Sequence, residues 1–462
     1  CWDLYARVGL FYRHGDADAK EDPQLLLLRS QTLRAVEAGD NPTAELAEYV
    51  ATRIVECHLA TMERLGIQYD VLPRESEILH LRFWDRAFER LKSSGAIRLE
   101  IEGRSAGCWV MPTDAHESTA EHEADKIIVR SNGTVTYAGK DIAYQLWKLG
   151  QLGLDFHYRL FRTYPNGHTV WMTTAQVGDE AGINFGGGDV VYNVIDSRQS
   201  YTQDVVRRGV AATAPEIGDA ASVHLSYEMV ALSPAACEEL GIELSADDRA
   251  RSFIEMSGRK GLGVKADDLL DRLIAEARRE VETRNKELTA DEQSAAAEAI
   301  AVGALRYFLL KWTRSTVIAF DFKEAVSFEG ETGPYCQYSA VRANSIFRKL
   351  GPEELPAARA LVVQQMNETA RVLGEDELWS LVLLANRLPE VVGQAANAAE
   401  PAVLAKYLFQ LSRAFNLFYH NHRILREEDA ARRATLIVIA DLARHYLTEG
   451  LGVLGIPVPE RM

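Results

Sequence analysis

The sequence lacks paired cysteines, long apolar runs and an excess of positive charge. Its five cysteines are scattered over 462 residues without a CxxC pair. This excludes a disulfide framework or zinc ribbon and is typical of the reducing cytoplasm, where we place the chain. No apolar stretch approaches the ~18 residues that cross a bilayer, so we expect no membrane span. The 51 basic and 67 acidic residues give a net charge of −16, which disfavours a general polyanion binder but allows a local basic patch.

Apolar residues make up 47% of the chain, and its length predicts about three core-forming domains. Residues 1–130 read as helices and loops with one strand-like run. Residues 131–240 alternate short β-rich runs with helices, which favours a parallel or mixed α/β sheet. After about 241 the periodicity is almost wholly helical, and this predicts a helical bundle.

The first candidate site lies between a predicted strand at 135–137 and a predicted helix at 141–149. Ligands of α/β folds bind at such strand ends, where the carboxylate of Asp141 is able to pair with a guanidinium and the Tyr137 ring to line the pocket. Gln199 follows another predicted strand and is expected at the same edge. A second interpretation remains open, in which Asp141 simply caps the helix.

A second candidate is the loop M-S-G-R-K-G at 256–261, where adjacent Arg259 and Lys260 stand between glycines. A flexible basic loop is suited to closing over a polyphosphate and stabilising a departing pyrophosphate. A solvated turn is the alternative. A metal site is not predicted, because an HExxH motif at 116–120 would need histidine where Ala120 stands.

A third candidate is the helix predicted at 335–350. One stripe is its core face, formed by Cys336, Ala340, Ala343, Phe347 and Leu350. The other flank carries Tyr335, Tyr338, Arg342, Ser345 and Lys349, a surface that packing does not explain. Rings interleaved with cations are what unpaired nucleobases and phosphates require. Segments 332–352 and 401–426 contain no acidic residue, although chance placement is an alternative to a basic docking patch.

Six segments occur in an order that is specific in combination: Y-A-G-K-D-I-A-Y at 137–144, D-S-R-Q at 196–199, the strand and loop at 224–230, M-S-G-R-K-G at 256–261, G-A-L-R at 303–306 and T-G-P-Y-C-Q-Y at 332–338. The ending L-G-I-P-V-P-E-R-M at 454–462 also fits. Together they resemble arginyl-tRNA synthetase, a class I aminoacyl-tRNA synthetase, over most of the chain. The fourth segment resembles the KMSKS loop, and the fifth resembles the DALR motif of the anticodon-binding domain.

The resemblance implies roles for individual residues. Arginine would be bound by Tyr137, Asp141 and Gln199, and ATP by His224, Met229 and Met256. The signature loop would supply Ser257, Arg259 and Lys260 to the ATP phosphates. The tRNA would be bound by Tyr335, Tyr338, Arg342, Tyr419 and Met462.

The resemblance also implies an architecture and its partners. The fold would be α/β plus all-α: an incomplete Rossmann-type nucleotide-binding domain followed by a helical DALR-type anticodon-binding domain. The expected divisions are an insertion and flanking part at 1–130, the second half of the catalytic domain at 131–240, the signature loop with connecting helices at 241–310, and the anticodon-binding domain at 311–462. Arginine, ATP with Mg²⁺ and tRNA(Arg) would be the substrates of a monomer without resident metal.

Two departures from the family pattern qualify these expectations. Gly303 stands where the DALR motif has aspartate, which we interpret as a change in a helix–helix contact. The His-x-Gly-His motif of class I synthetases does not occur in the 462 residues. With Cys1 as the first residue, this predicts a C-terminal portion that is inactive alone. A non-catalytic tRNA-binding fragment or paralogue is the competing hypothesis.

Overall fold

The computed structural model describes residues 2–15, 19–112, 126–179, 182–256 and 264–462. The chain divides into two compact units. One unit is Pro23–Glu228, and the other combines Cys1–Asp22 with Met229–Met462.

Helices dominate the described chain. In order they are α1 (Trp2–Phe11), α2 (Pro23–Ala38), α3 (Pro42–Arg64), α4 (Glu75–His80), α5 (Phe83–Ser93), α6 (Tyr137–Lys148), α7 (Ser200–Thr213), α8 (Pro234–Glu239), α9 (Ala246–Arg249), α10 (Ala266–Arg284), α11 (Ala290–Leu310), α12 (Phe322–Ala325), α13 (Gly333–Lys349), α14 (Glu354–Gln364), α15 (Met366–Leu373), α16 (Asp376–Ala385), α17 (Leu388–Asn397), α18 (Ala402–Asn421) and α19 (Ala430–Val453). The strands are β1 (Val71–Leu72), β2 (Arg98–Leu99), β3 (Trp109–Met111), β4 (Lys126–Val129), β5 (His157–Thr163), β6 (Thr169–Thr174), β7 (Val191–Asp196), β8 (Ser222–Tyr227), β9 (Val230–Leu232) and β10 (Ile318–Phe320).

The unit Pro23–Glu228 is mixed α/β, as its alternating pattern predicted. Strands β7 and β8 pair in parallel, whereas β6 pairs in parallel with β1 and antiparallel with β5. Helix α6 packs against α5 and α7, and it is central because Ile142, Ala143 and Leu146 recur at helical spacing and are fully buried. Gly209 of α7 permits a close approach, since a Cβ there would meet the Ile142 side chain at 2.8 Å.

The predicted strand at 135–137 is wrong. Tyr137 is the first residue of α6, and Thr136 precedes it in an extended conformation with its hydroxyl donating to the Ile127 and Ile128 carbonyls. Val135 forms only an isolated bridge to Val129. Asp141 therefore lies in the second turn of α6, and the interpretation of Asp141 as a helix cap is also wrong.

The unit that includes Met229–Met462 is mainly a helical bundle. Leu404, Leu408, Leu411, Phe415 and Phe418 of α18 recur at intervals of four and three and are at most 2% exposed. Each such side chain contributes about 1.5–3 kcal/mol by leaving water. The predicted core stripe of α13 is confirmed: Cys336, Ala340 and Ala343 are fully buried, and Phe347 and Leu350 pack against the same core.

The bundle is almost wholly helical after residue 241, as its periodicity predicted, and residues 354–397 form four short helices, α14 to α17. Within the described residues, no helix is apolar over a length that would cross a bilayer.

Candidate functional site

The first candidate site is one face of α6. Tyr137, Asp141, Tyr144 and Lys148 are spaced four, three and four residues apart, so they lie along a single face of the helix. Tyr137 is 76% exposed, whereas Asp141 is half-buried. An exposed ring thus lies one turn from a partly desolvated carboxylate.

The Asp141 carboxylate is not in direct contact with a cation of the described chain. It forms no hydrogen bond or ion pair with any described residue, and the nearby Lys140 is paired instead with Glu75 at 3.1 Å. Burial raises the pKa of Asp141, and the Glu75 carboxylate raises it further, against the opposing charges of Lys148 and Lys140. Such a carboxylate gains most from a cation that brings its own hydrogen-bond donors.

Lys148 extends this face and was not identified from the sequence. Its ammonium donates to the Asn193 side-chain oxygen of β7 at 3.0 Å and lies 4.4 Å from the centroid of the Tyr144 ring. Burial lowers the pKa of Lys148, and Asp141 opposes that shift. Lys148 follows Asp141 by seven residues, a spacing that places both on one face of a helix, and this spacing could have identified it from the sequence.

The other predicted arginine and ATP residues are placed as follows. Gln199 ends the 3-10 turn Ser197–Gln199 and is exposed. His224 is half-buried on β8, and its Nε2 donates to the Ile195 carbonyl at 2.9 Å. Met229 and Met256 belong to the other unit and are half-buried. The predicted catalytic residues Ser257, Arg259 and Lys260 lie outside the described residues.

The second candidate site joins α13 and α18. The Arg342 guanidinium lies between two tyrosine rings, 4.6 Å from the Tyr338 centroid and 5.1 Å from the Tyr419 centroid. These are cation–π distances, and Tyr419 is 37% exposed. The family resemblance implied one tRNA-binding set for these three residues, and the structure brings them together.

A cavity of about 400 Å³ opens beside this stack. Its lining includes Ser345 and Lys349 from α13 and Tyr419 from α18, with no acidic residue. Its cationic or ionisable lining residues are Lys349, His420, His422, Arg423 and Arg426. The cavity is therefore suited to an anionic or aromatic ligand.

Three predicted tRNA residues are packed more tightly than expected. Tyr335 is half-buried and makes an edge-to-face contact with Phe409, with ring centroids 5.4 Å apart, so the prediction that packing does not explain its position is wrong. The same applies to Tyr338, which packs against the small core that contains Val341. Met462 belongs to that core and is 8% exposed.

Among the residues that the structure describes, no cluster of three or more His, Cys, Asp or Glu side chains is arranged to hold a metal ion. The acidic and histidine-containing segment at 114–123 lies outside the described residues. His422, at the edge of the cavity, is next to Glu377 at 3.6 Å.

Comparisons with known proteins point to one family. Residues 336–462 match the family model "DALR anticodon binding domain", and residues 234–322 match "tRNA synthetases class I (R), catalytic domain". An arginine–tRNA ligase of Thermus thermophilus is 34% identical, aligning with 100% of this chain and 72% of the relative. That of Thermococcus kodakarensis is 31% identical, with 98% and 67% covered.

A solved structure gives the same result. The arginyl-tRNA synthetase of Thermus thermophilus superposes with a TM-score of 0.75 at 30% identity, covering 100% of this chain and 73% of that one. The fold is therefore that of a class I aminoacyl-tRNA synthetase, with a catalytic part and a helical DALR domain, as predicted. More specifically, the chain belongs to the arginyl-tRNA synthetase family, whose activity is the ligation of arginine to tRNA.

Proposed function

We propose that this chain recognises arginine with the Asp141 face of α6 and tRNA(Arg) with α13 and α18, as part of an arginine–tRNA ligase. One observation carries the proposal: Asp141 is half-buried without a hydrogen bond or ion pair to any described residue. The guanidinium of arginine is permanently charged and offers paired donors that match a carboxylate.

The same geometry supports discrimination between amino acids. A lysine ammonium is a point donor and leaves part of the carboxylate unmatched, and a neutral analogue leaves Asp141 desolvated without compensation. The exposed Tyr137 ring one turn earlier offers a face for the flat guanidinium. Gln199 is our proposed third ligand, since its exposed amide has no hydrogen bond to a described residue.

The chemical step needs no enzyme nucleophile. The arginine carboxylate would attack the α-phosphate of ATP, forming arginyl-adenylate and pyrophosphate, before transfer to the 3′ end of tRNA. Mg²⁺ would enter with ATP as substrate. We assign the developing phosphate charge to Arg259 and Lys260 with Ser257, and the binding of ATP to His224, Met229 and Met256. Because His224 Nε2 donates to the Ile195 carbonyl, the neutral ring keeps Nδ1 as an acceptor for an amino group.

Titration calorimetry of the chain with arginine tests the amino-acid site. We expect Asp141→Asn to weaken arginine binding by about 100-fold, because a charge-assisted pair is lost. Glu75→Gln is the matched control, since it removes a neighbouring carboxylate already paired with Lys140 and should change affinity by less than about threefold. Lysine should bind neither form. Equal affinity of the wild type and Asp141→Asn would overturn the assignment.

The second candidate function is that of a non-catalytic tRNA-binding fragment or paralogue. It is favoured by the absence of a His-x-Gly-His motif from the 462 residues. We accordingly expect this chain by itself to give no arginine-dependent pyrophosphate exchange, even with tRNA present. Measurable arginylation by the chain alone would contradict that expectation and would locate the missing function within these residues.

The proposal extends to the setting of the protein. The described cysteines, of which Cys108, Cys237 and Cys336 are buried, are all unpaired, which supports a reducing compartment such as the cytoplasm. The proposed domain divisions at 130, 240 and 310 and the monomeric state remain predictions. Sedimentation of the purified chain tests the monomeric state directly.

A further inference from the structure

Asn416 of α18 connects the two helices at the Arg342 stack. Its Nδ2 donates to the Ser339 hydroxyl at 2.8 Å, and its Oδ1 accepts from Arg342 Nη1 at 2.5 Å. Asn416 is half-buried, and Ser339 is fully buried. One side-chain amide thus bonds to two residues of α13 that lie three positions apart.

The donors and acceptors allow only one orientation of this amide. The Ser339 hydroxyl donates to the Tyr335 carbonyl at 2.8 Å, so its oxygen is left as an acceptor for Asn416. Arg342 only donates, and it therefore requires the Asn416 oxygen. The chain of hydrogen bonds fixes which way the amide points, and with it the position of the guanidinium.

The Arg342 guanidinium has no acidic partner among the residues that the structure describes. None of the ion pairs among the described residues includes it, although it lies between the Tyr338 and Tyr419 rings. A neutral amide partner holds the guanidinium without cancelling its charge. Ser345 and Lys349 follow Arg342 on the same helix and, with Tyr419, line the adjacent basic cavity.

We propose that Asn416 is a positioning residue for tRNA recognition: it holds Arg342 between Tyr338 and Tyr419 so that the guanidinium meets the RNA preorganised and fully charged. The inference rests on the proposed tRNA binding of this unit. Without Asn416, the Arg342 side chain would lose its rotamer freedom only when it binds RNA, and that entropic cost would weaken the affinity.

A double-mutant cycle on the full chain tests this, with the affinity for a tRNA(Arg) transcript as the readout. We expect Asn416→Ala to weaken binding about tenfold in the wild-type background, comparable to Arg342→Ala. In the Arg342→Ala background the same change should cost less than about twofold, because its effect passes through the arginine. Equal costs in both backgrounds would overturn the positioning role.

Asn416→Asp guards against a folding defect in the alanine variant. An aspartate keeps the hydrogen bond from Arg342 and neutralises its charge, whereas the Ser339 hydroxyl must rotate away from the Tyr335 carbonyl before it donates to the new carboxylate. The melting temperature should therefore fall less than in Asn416→Ala. We expect tRNA affinity to fall to the level of Arg342→Ala and the dependence on salt to weaken by about one phosphate contact. Wild-type affinity in this variant would overturn the claim that the charge is used.

Asn386→Ala is the matched control, since the Asn386 amide likewise donates one hydrogen bond and accepts one in the same unit, to the Val382 carbonyl and from the Tyr446 hydroxyl, and has no hydrogen bond to Arg342. Its tRNA affinity should equal that of the wild type. A wild-type chain that does not bind tRNA(Arg) would overturn the proposed function itself, whereas binding without an effect of Asn416 would overturn only this inference.

Discussion

Gly303 of α11 lies against the carboxamide of Gln337 on α13. A Cβ atom at position 303 would meet that group well inside van der Waals distance. Gln337 is fully buried, and its Nε2 donates to the Ala299 carbonyl at 2.9 Å and to the Pro457 carbonyl at 2.6 Å. Glycine in place of the DALR aspartate at position 303 thus belongs to a helix–helix contact, in agreement with the interpretation made from the sequence.

Gly303→Ala should destabilise the helical unit. Alanine gains about 1 kcal/mol of helix propensity, but overpacking against Gln337 costs about 1–3 kcal/mol and breaks its hydrogen bonds. We expect a net loss of about 2 kcal/mol in the free energy of unfolding, measured by urea titration. Gly393→Ala in α17 is the control, because nothing lies within 4 Å of a Cβ there, and it should stabilise. A stabilised Gly303→Ala variant would show that α11 and α13 can move apart enough to accommodate a methyl group beside Gln337.

In the absence of arginine, Asp141→Asn should be more stable than the wild type. Added arginine should no longer raise the melting temperature of this variant. The folded-state pKa of Asp141 is raised by burial, so folding favours its protonated form. That contribution is present at low pH and is lost as the pH rises through the raised pKa, leaving a desolvated charge at neutral pH. We expect the variant to melt about 2 °C higher at pH 7 and the difference to shrink on acidification.

Adding arginine should reverse this order. Ligand binding stabilises only the form that binds it, so arginine should raise the melting temperature of the wild type and leave Asp141→Asn unchanged. A variant that is less stable than the wild type at pH 7 would instead show that the carboxylate is satisfied in the folded protein.

The residues of the Asp141 face were predictable in type but not in local structure. The spacing of Tyr137 and Asp141 could be read from the sequence, but residues 135–137 were predicted to form a strand. The tertiary contact of the Thr136 hydroxyl with the Ile127 and Ile128 carbonyls ends the extended segment one residue earlier. A contact over eight or nine residues leaves no local pattern, so periodicity alone does not reveal it.

The packing of α13 shows the opposite balance. The period of 3.6 residues identified its core stripe of Cys336, Ala340 and Ala343. The period did not reveal that Tyr335 contacts Phe409 or that Arg342 donates to Asn416. Both partners belong to α18 and lie 74 residues further along the chain. Long-range partners of polar flanks require the tertiary structure.

Tyr335 and Tyr419 should respond differently to truncation. Tyr335→Ala removes the edge-to-face contact with Phe409 from a half-buried position, and we expect it to lower the free energy of unfolding by about 2 kcal/mol. Tyr419→Ala removes a more exposed ring beside Arg342, and it should cost less than about 1 kcal/mol in stability but weaken tRNA binding about tenfold.

Urea titrations and tRNA binding of both variants make the comparison. Tyr335→Phe is the control, because it keeps the ring, and it should match the wild type in both measurements. If Tyr335→Ala were as stable as the wild type yet bound tRNA weakly, then Tyr335 would act as an RNA contact and its packing would be incidental.

Met462→Ala should lower the stability of the protein but leave its affinity for tRNA nearly unchanged. The side chain is 8% exposed in a small core with Val281, Ile300 and Val341, so truncation removes apolar contacts and leaves a cavity. We expect a loss of about 2 kcal/mol in the free energy of unfolding. Met366→Ala is the matched control: this methionine is 70% exposed on α15, and its truncation should change stability by less than about 0.5 kcal/mol.

The affinity for tRNA, measured well below the melting temperature, should be nearly equal in the wild type and Met462→Ala. A Met462→Ala variant of normal stability that binds tRNA poorly would show instead that Met462 leaves this core to contact the RNA.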